Sequence, residues 1–444
     1  MKEFEVVVIG GGTAGVAAAK AAAGQGAKVG LIEPHRPGGH SLFQGELPLQ
    51  VVRDRMTPSE DQVSLESLIQ EVEEKAAPLS RRIVKDLQNS GVEWIQGEGS
   101  LAGSRQVSVH HNEETSMLKA GKVIVAAGSR VKPVPAIPFD SETIFPMDRL
   151  LDWKKTPLSL LIVGGDKAAL ETAQLYRFLG TRVFLVDENN RLIHHQDPDL
   201  IAALEAGFKM LKIKVLLGKK IVSIFKGAGQ IDITLDGGVK FSTERMLVSG
   251  ERLGNTAELA LDGLNIERGR NQEIWVNETM GTSLPGVFAA GSVTGRPRSR
   301  EISEEEGRVA GINAAGGNES IQRDNISFCL HTEPEVASIG CRSGNAHFKG
   351  FRAVEGRYDV SESDESGDTV GGFCKIIADR DTKRIIGAQV SGAQAAKSIR
   401  LLQSILREGA SVKELAQSKE ENPSTFKPVV KAAKACLRAL SPRR

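Results

Sequence analysis

A chain of 444 residues, 40% hydrophobic and 25% charged, has the make-up of a soluble globular protein too long for one core, and predicts two or three domains. Its formal net charge of +1 gives no reason to expect nucleic acid or an anionic membrane as partner. No apolar run nears the roughly 20 residues that span a bilayer. The N-terminal MKEFEVVVIG runs straight into a strand, leaving no room for a signal peptide, so the cytoplasm is the expected location.

Residues 4–33, FEVVVIGGGTAGVAAAKAAAGQGAKVGLIE, read as strand, Gly-rich turn, Ala-rich helix and second strand. VVVIG is apolar without alternation, as a parallel strand buried on both faces requires. Residues 64–97 predict a long helix and then the strand VEWIQG. KVIVAAGSRVKPVPAIP (122–138) is a buried strand with a Pro-punctuated exit. The opening pattern recurs at 159–187, SLLIVGGDKAALETAQLYRFLGTRVFLVD, again ending on an acid, so two nucleotide-binding halves are expected. LPGVFAAGSVTG (284–295) is strand and glycine turn, leading into the helical ISEEEGRVAGINAAG. Beyond a boundary near 326 the texture changes to shorter strands, such as GFCKIIADRDTKRIIGAQVSG, and then to helices. The acidic SESDESGD (361–368) reads as a solvated loop, and His194–His195 as a polar loop rather than a metal site.

Gly10, Gly12 and Gly15 form G-x-G-x-x-G directly between strand and helix. The three glycines serve a tight turn, close backbone approach to a pyrophosphate and close helix–strand packing. The phosphates then face the helix N-terminus, where unpaired N–H groups favour anions. Glu33 ends the second strand, where it can accept from ribose hydroxyls. The four cysteines, Cys329, Cys341, Cys374 and Cys436, have no CxxC or CxxxxC spacing and read as buried or idle thiols.

With these motifs, and with VIVAAGSR, LLIVGG…LE, PGVFAAGSVTG and HTEPEVASIG in the same order, the chain resembles the pyridine nucleotide–disulfide oxidoreductases. The resemblance implies an α/β fold with two Rossmann-like dinucleotide-binding domains, of FAD and NAD(P) type, and a C-terminal α+β dimerisation domain. It divides the chain into FAD-binding segments 1–150 and 271–325, an NAD(P)-type domain at 151–270 and an interface domain at 326–444. A homodimer follows, since the last segment resembles the family's dimerisation domain and offers little core of its own. FAD is the implied cofactor, held by Gly10, Gly12, Gly15, Glu33, Gly38, Gly39, Gln50, Gly99, Gly128, Glu171, Gly291 and Ser292; NAD(H) is a weaker expectation.

The departures from the family's pattern fall on its chemistry. The family's disulfide occupies G-G-T-C-x-x-x-x-C-x-P-x-K, whereas this chain has Gly38, Gly39, His40, Ser41, then Glu46, Pro48 and Gln50. A hydroxyl and a carboxylate at Ser41 and Glu46 cannot shuttle two electrons. The family's H-P-x-x-x-E acid–base pair reads NPSTFK, with Asn422 and Lys427, and an amide does not titrate near neutral pH. Gln50 replaces the lysine that pairs with the glutamate matching Glu171, so Glu171 must hold a proton or find another partner. The second glycine motif has Asp166 and Ala169 at glycine positions, while Asp187 would suit an adenosine ribose. Ser292 stands for the family's flavin-binding aspartate, losing charge assistance worth roughly 1–2 kcal/mol. Arg300 replaces a small family residue near the flavin.

Two functions fit. One is an FAD-dependent oxidoreductase without a dithiol relay, passing electrons from NAD(P)H or a protein donor to a quinone or partner protein. His40, Ser41 and Glu46 would line the vacated space, Glu46 being the candidate acid–base group. The other is a non-catalytic FAD-binding scaffold.

Overall fold

The computed structural model describes all residues except 44, 56–63, 141, 154, 228, 296–298, 361–371, 419–422 and 442–444. The acidic segment 361–368 and Asn422 therefore lie outside the described residues. The chain divides into two compact units. The first comprises Met1–Leu158, Lys226–Ile231 and Glu244–Ile321; the second comprises Ser159–Phe225, Asp232–Thr243 and Gln322–Arg444.

The first unit is built on β1 (Lys2–Ile9), β2 (Val29–Ile32), β3 (Val92–Ile95), β4 (Glu98–Gly103), β5 (Gln106–His111) and β6 (Glu114–Val125), in the order β3-β2-β1-β6-β5-β4. β1 pairs in parallel with β2 and β6, and the strand Val287–Ala289 adds to β6 in parallel. Val6, Val7 and Val8 are fully buried, which explains the unbroken apolar run at the centre of the sheet. Helix α1 (Thr13–Gly24) packs on the helix Arg300–Ala314 through small residues. A Cβ at Gly307 would lie 2.1 Å from the Ala14 carbonyl oxygen, and one at Gly311 2.2 Å from that of Ala18. Two short helices, α2 (Gly39–Phe43) and α3 (Glu46–Arg55), precede α4 (Leu65–Asn89). The Ser64 hydroxyl caps α4 by accepting from the Ser67 N–H at 3.1 Å.

In the second unit the strands Ser159–Val163, Arg182–Asp187 and Lys214–Leu217 run parallel, with α5 (Lys167–Phe178) after the first. Its C-terminal part is a five-stranded antiparallel sheet, covered by Ala395–Arg407, Val412–Gln417 and Pro423–Leu440. The expectation that this segment offers little core of its own is overturned. Ile339, Cys374, Ile376, Ile399, Leu402, Val429 and Cys436 belong to one buried cluster there. Much of that cluster is alanine and cysteine, whose small side chains let helix and sheet close up tightly: a Cβ at Gly356 would lie 2.0 Å from the Cys436 nitrogen. Among the described residues no helix is long and apolar enough to cross a membrane.

Candidate functional site

The first glycine turn makes a bare helix N-terminus. Gly10 has φ +106°, and its N–H is donated to the Ile32 carbonyl at 2.8 Å, so the chain turns sharply out of β1. A Cβ at Gly15 would lie 1.8 Å from the Gly10 carbonyl oxygen, which fixes why the helix can begin this close to the strand. Gly12 is the N-cap of α1; no side chain caps the helix and no acid lies in its first turn. Its leading N–H groups are therefore spare for an anion.

The other candidate residues of the first unit gather around this turn. Glu33 accepts from the Gly11 N–H at 2.6 Å and the His35 N–H at 3.1 Å, one bond per oxygen, which leaves lone pairs for ribose hydroxyls. Gly38 donates its N–H to the Gly11 carbonyl at 2.9 Å, and a Cβ at Gly39 would sit 2.7 Å from the Gly12 Cα. Gly291 has φ +78° and lies against Ala14, and a Cβ at Gly128 would meet the Ser292 Oγ at 3.9 Å. Gly99 serves packing: a Cβ there would crowd Ile9 and Ile32 at 3.1–3.2 Å. These groups could meet a pyrophosphate at the α1 N-terminus, an adenosine ribose at Glu33 and a polyol chain near Ser292, as parts of FAD would require.

The second glycine turn has the same path and a different end. Gly164 has φ +116°, and a Cβ at Gly165 would lie 2.3 Å from Asp187 Oδ2, as Gly11 lies against Glu33. The N-cap of α5, however, is Asp166, whose carboxylate accepts from the Ala169 N–H at 2.8 Å. The place where a nicotinamide dinucleotide would put its pyrophosphate already holds a negative charge. The ribose end fits that cofactor; the phosphate end does not.

His40 and Ser41 stand on α2, and Glu46 opens α3. Ser41 Oγ accepts from Thr13 Oγ1 at 3.3 Å, on the first turn of α1. Glu46 Oε2 lies 3.8 Å from Arg300 Nη1, so the acid and the arginine singled out separately in the sequence face each other. Gln50 is exposed on α3. In the second unit Glu171 is buried and has found other partners for its carboxylate: the His331 N–H at 2.8 Å and Lys167 Nζ at 4.0 Å. All four cysteines are free and buried. Burial pushes the Cys374 thiol up to about 12 and the Cys436 thiol to about 11, which leaves neither as a thiolate at neutral pH.

The comparisons with known proteins bear on this arrangement. Residues 4–307 match the model of the pyridine nucleotide-disulphide oxidoreductases, and residues 326–433 match that family's dimerisation domain. The chain belongs to this family. Its members bind FAD and NAD(P)H. A dihydrolipoyl dehydrogenase of Bacillus subtilis is 28% identical over 88% of this chain and 89% of its own. A soluble pyridine nucleotide transhydrogenase of Mycobacterium tuberculosis is 25% identical, covering 98% and 97%. The crystal structure of LpdA from M. tuberculosis superposes with TM-score 0.87 at 24% identity, covering 98% and 99%. That of the HOCl-induced flavoprotein disulfide reductase RclA from Escherichia coli gives 0.85 at 20%, covering 97% and 99%. The two solved structures share this fold.

Sequence reasoning missed three side chains that shape the first site. Glu306 is fully buried and accepts from the Gly291 N–H at 2.9 Å, holding the turn that carries Ser292. Asn255 donates to the Ala127 carbonyl at 3.0 Å and accepts from Arg130 at 3.1 Å, fixing the Gly128 turn. Asp148 lies 4.0 Å from His40. Only Glu306 left a signal, as the last acid of an EEE run on a helix that must bury one face.

Proposed function

We propose that this chain is an FAD-dependent oxidoreductase that works without a dithiol relay, passing electrons to a non-disulfide acceptor such as a quinone or a partner protein. The observation that carries this reading is the contrast between an uncapped helix N-terminus at the first glycine turn and a chain whose first cysteine is Cys329. Gly10, Gly12 and Gly15 would hold the pyrophosphate, Glu33 the adenosine ribose, and Ser292 the chain leading to the flavin. Bound there, FAD supplies the two-electron centre that no side chain of this protein provides. His40, Ser41 and Glu46 lie at the start of the same α1 surface and are the groups available to orient an acceptor and move protons.

The electron donor is NAD(P)H or, if Asp166 closes the nucleotide route, a protein. We assign residues 1–150 and 271–325 to the FAD domain, 151–270 to the NAD(P)-type domain and 326–444 to the interface. A homodimer through residues 326–444 follows from this assignment, and the cytoplasm is its proposed location. Neither dihydrolipoamide nor glutathione disulfide is expected as substrate, because both need the relay.

A second reading, a non-catalytic FAD-binding scaffold, is favoured by the capped α5, since a flavoprotein without a donor does not turn over. An anaerobic absorbance spectrum, recorded before and after NADH and then NADPH, separates the two. A flavin band that bleaches supports the enzyme and identifies its donor. A band that bleaches only with dithionite points to a protein donor. Absence of a flavin band, even after added FAD, ends the oxidoreductase reading.

A further inference from the structure

The fold assembles a titratable pair beside the first glycine turn from residues more than a hundred positions apart. His40 Nδ1 lies 4.0 Å from Asp148 Oδ1, within ion-pair range and wider than a hydrogen bond. Acid–base pairs often stand at such distances until a reactant is bound. Asp148 is held on both oxygens: Oδ2 accepts from the Val131 N–H at 2.7 Å, and Oδ1 from Arg252 Nη2 at 2.9 Å. Arg252 is itself fixed, its Nε donating to Ser129 Oγ at 2.8 Å and its Nη2 to the Ser129 carbonyl at 2.5 Å. The carboxylate therefore has little freedom, and the imidazole must come to it.

The backbone on either side of His40 is anchored by its neighbours. Gly39 abuts Gly12, and Ser41 is hydrogen-bonded to Thr13, so α2 lies against the N-terminal turn of α1. The next helix contributes Glu46, which already faces the Arg300 guanidinium. α4 touches this segment through Ser80, whose hydroxyl donates to the Pro37 carbonyl at 2.6 Å. Of these groups, His40 alone combines an imidazole with a fixed carboxylate partner.

We infer that His40 is the proton-donating residue of this site and Asp148 its positioning residue. The inference rests on the oxidoreductase reading above and deepens it, moving the proton duty from Glu46 to His40. Asp148 holds the Nδ1 proton toward itself, which leaves Nε2 as the exchanging atom. Reduction of a quinone to a quinol consumes a hydride equivalent and one proton. The hydride equivalent is the one the proposed reaction already delivers. The proton comes from protonated His40: Nε2–H breaks, an O–H bond forms on the acceptor, and a neutral ring remains with its proton on Nδ1. A solvent proton then restores Nε2.

The test uses the full-length protein and two readouts. Ring ¹⁵N NMR, with His40→Gln to assign the signal, is expected to find the Nδ1–H tautomer in neutral His40. Asp148→Asn is expected to lower the titration midpoint of His40 by about one pH unit. In steady-state assays His40→Gln should lose about 100-fold in kcat with a water-soluble benzoquinone, at little change in KM. It should lose far less with ferricyanide, which takes one electron and no proton. An Nε2–H tautomer in the wild type overturns the pairing even if Asp148→Asn does not fold. An unchanged midpoint in a folded Asp148→Asn does the same, and equal losses with both acceptors overturn the proton role. A wild type that reduces neither acceptor defeats the oxidoreductase reading, and the proton role with it.

Discussion

At the first glycine turn Gly12 leaves the N-terminus of α1 without a side-chain cap; at the second, Asp166 fills the same place on α5 with its own carboxylate. The two turns otherwise correspond. Gly10 and Gly164 both have positive φ near 110°, and each strand-ending acid, Glu33 or Asp187, packs against the glycine that follows. The two turns thus differ in whether a side chain already takes one of the helix's leading N–H groups. The magnitudes favour this view. An Asp cap stabilises its helix by about 1 kcal/mol. Two like charges about 4 Å apart near a protein surface cost about 4 kcal/mol. A dinucleotide arriving at α5 meets the larger effect.

The largest expected effect comes from moving the cap. Gly12→Asp puts the α5 device on α1, where Gly12 has φ −74° and ψ −174° and a Cβ would have no neighbour nearer than 4.0 Å. The variant should therefore fold, with a melting temperature no lower than the parent's, yet bind FAD at least about 100-fold more weakly, some 2.8 kcal/mol. Flavin retained at parental affinity, measured by equilibrium dialysis, would show that the α1 N-terminus is not the pyrophosphate site.

The reverse change should be smaller. Asp166→Gly removes the charge from α5 at a cost of a few tenths of a kcal/mol to the helix. NADH affinity, followed by isothermal titration, is expected to rise about tenfold. Asp166→Asn separates the two contributions, because it keeps a cap and drops the charge. If Asn recovers as much affinity as Gly, repulsion is the obstacle; if it recovers none, the occupied N–H groups are.

How much of this was legible depended on how local each feature is. Strand, turn, helix and terminal acid lie within residues 4–33, and their pattern follows from chain geometry alone. Asp166 is legible as an obstruction, but its bond to the Ala169 N–H needed the structure. The need of Glu171 for a partner followed from the missing lysine; the partner is a backbone N–H 160 residues away. Asp148 and Arg252 carry no motif at all, and reach His40 only because the fold brings three distant segments together. The C-terminal core was missed because alanine and cysteine do not stand out as core formers in a sequence, though close-packed sheets use them freely.

The smallest effect belongs to the far end of the first site. Ser292 can give a ligand one neutral hydrogen bond, and such a bond contributes about 1 kcal/mol. Ser292→Ala should weaken FAD about fivefold and leave the fold untouched, since the Gly291 turn is held by Glu306 rather than by the serine. Glu306→Gln is the complementary change: it keeps an acceptor for the Gly291 N–H and replaces the buried carboxyl by an amide. If Ser292→Ala costs about fivefold and Glu306→Gln a similar amount, the turn acts as a ligand contact that the glutamate supports. If only Glu306→Gln matters, and it lowers the melting temperature in parallel, the turn is scaffold and the affinity of the site resides at α1.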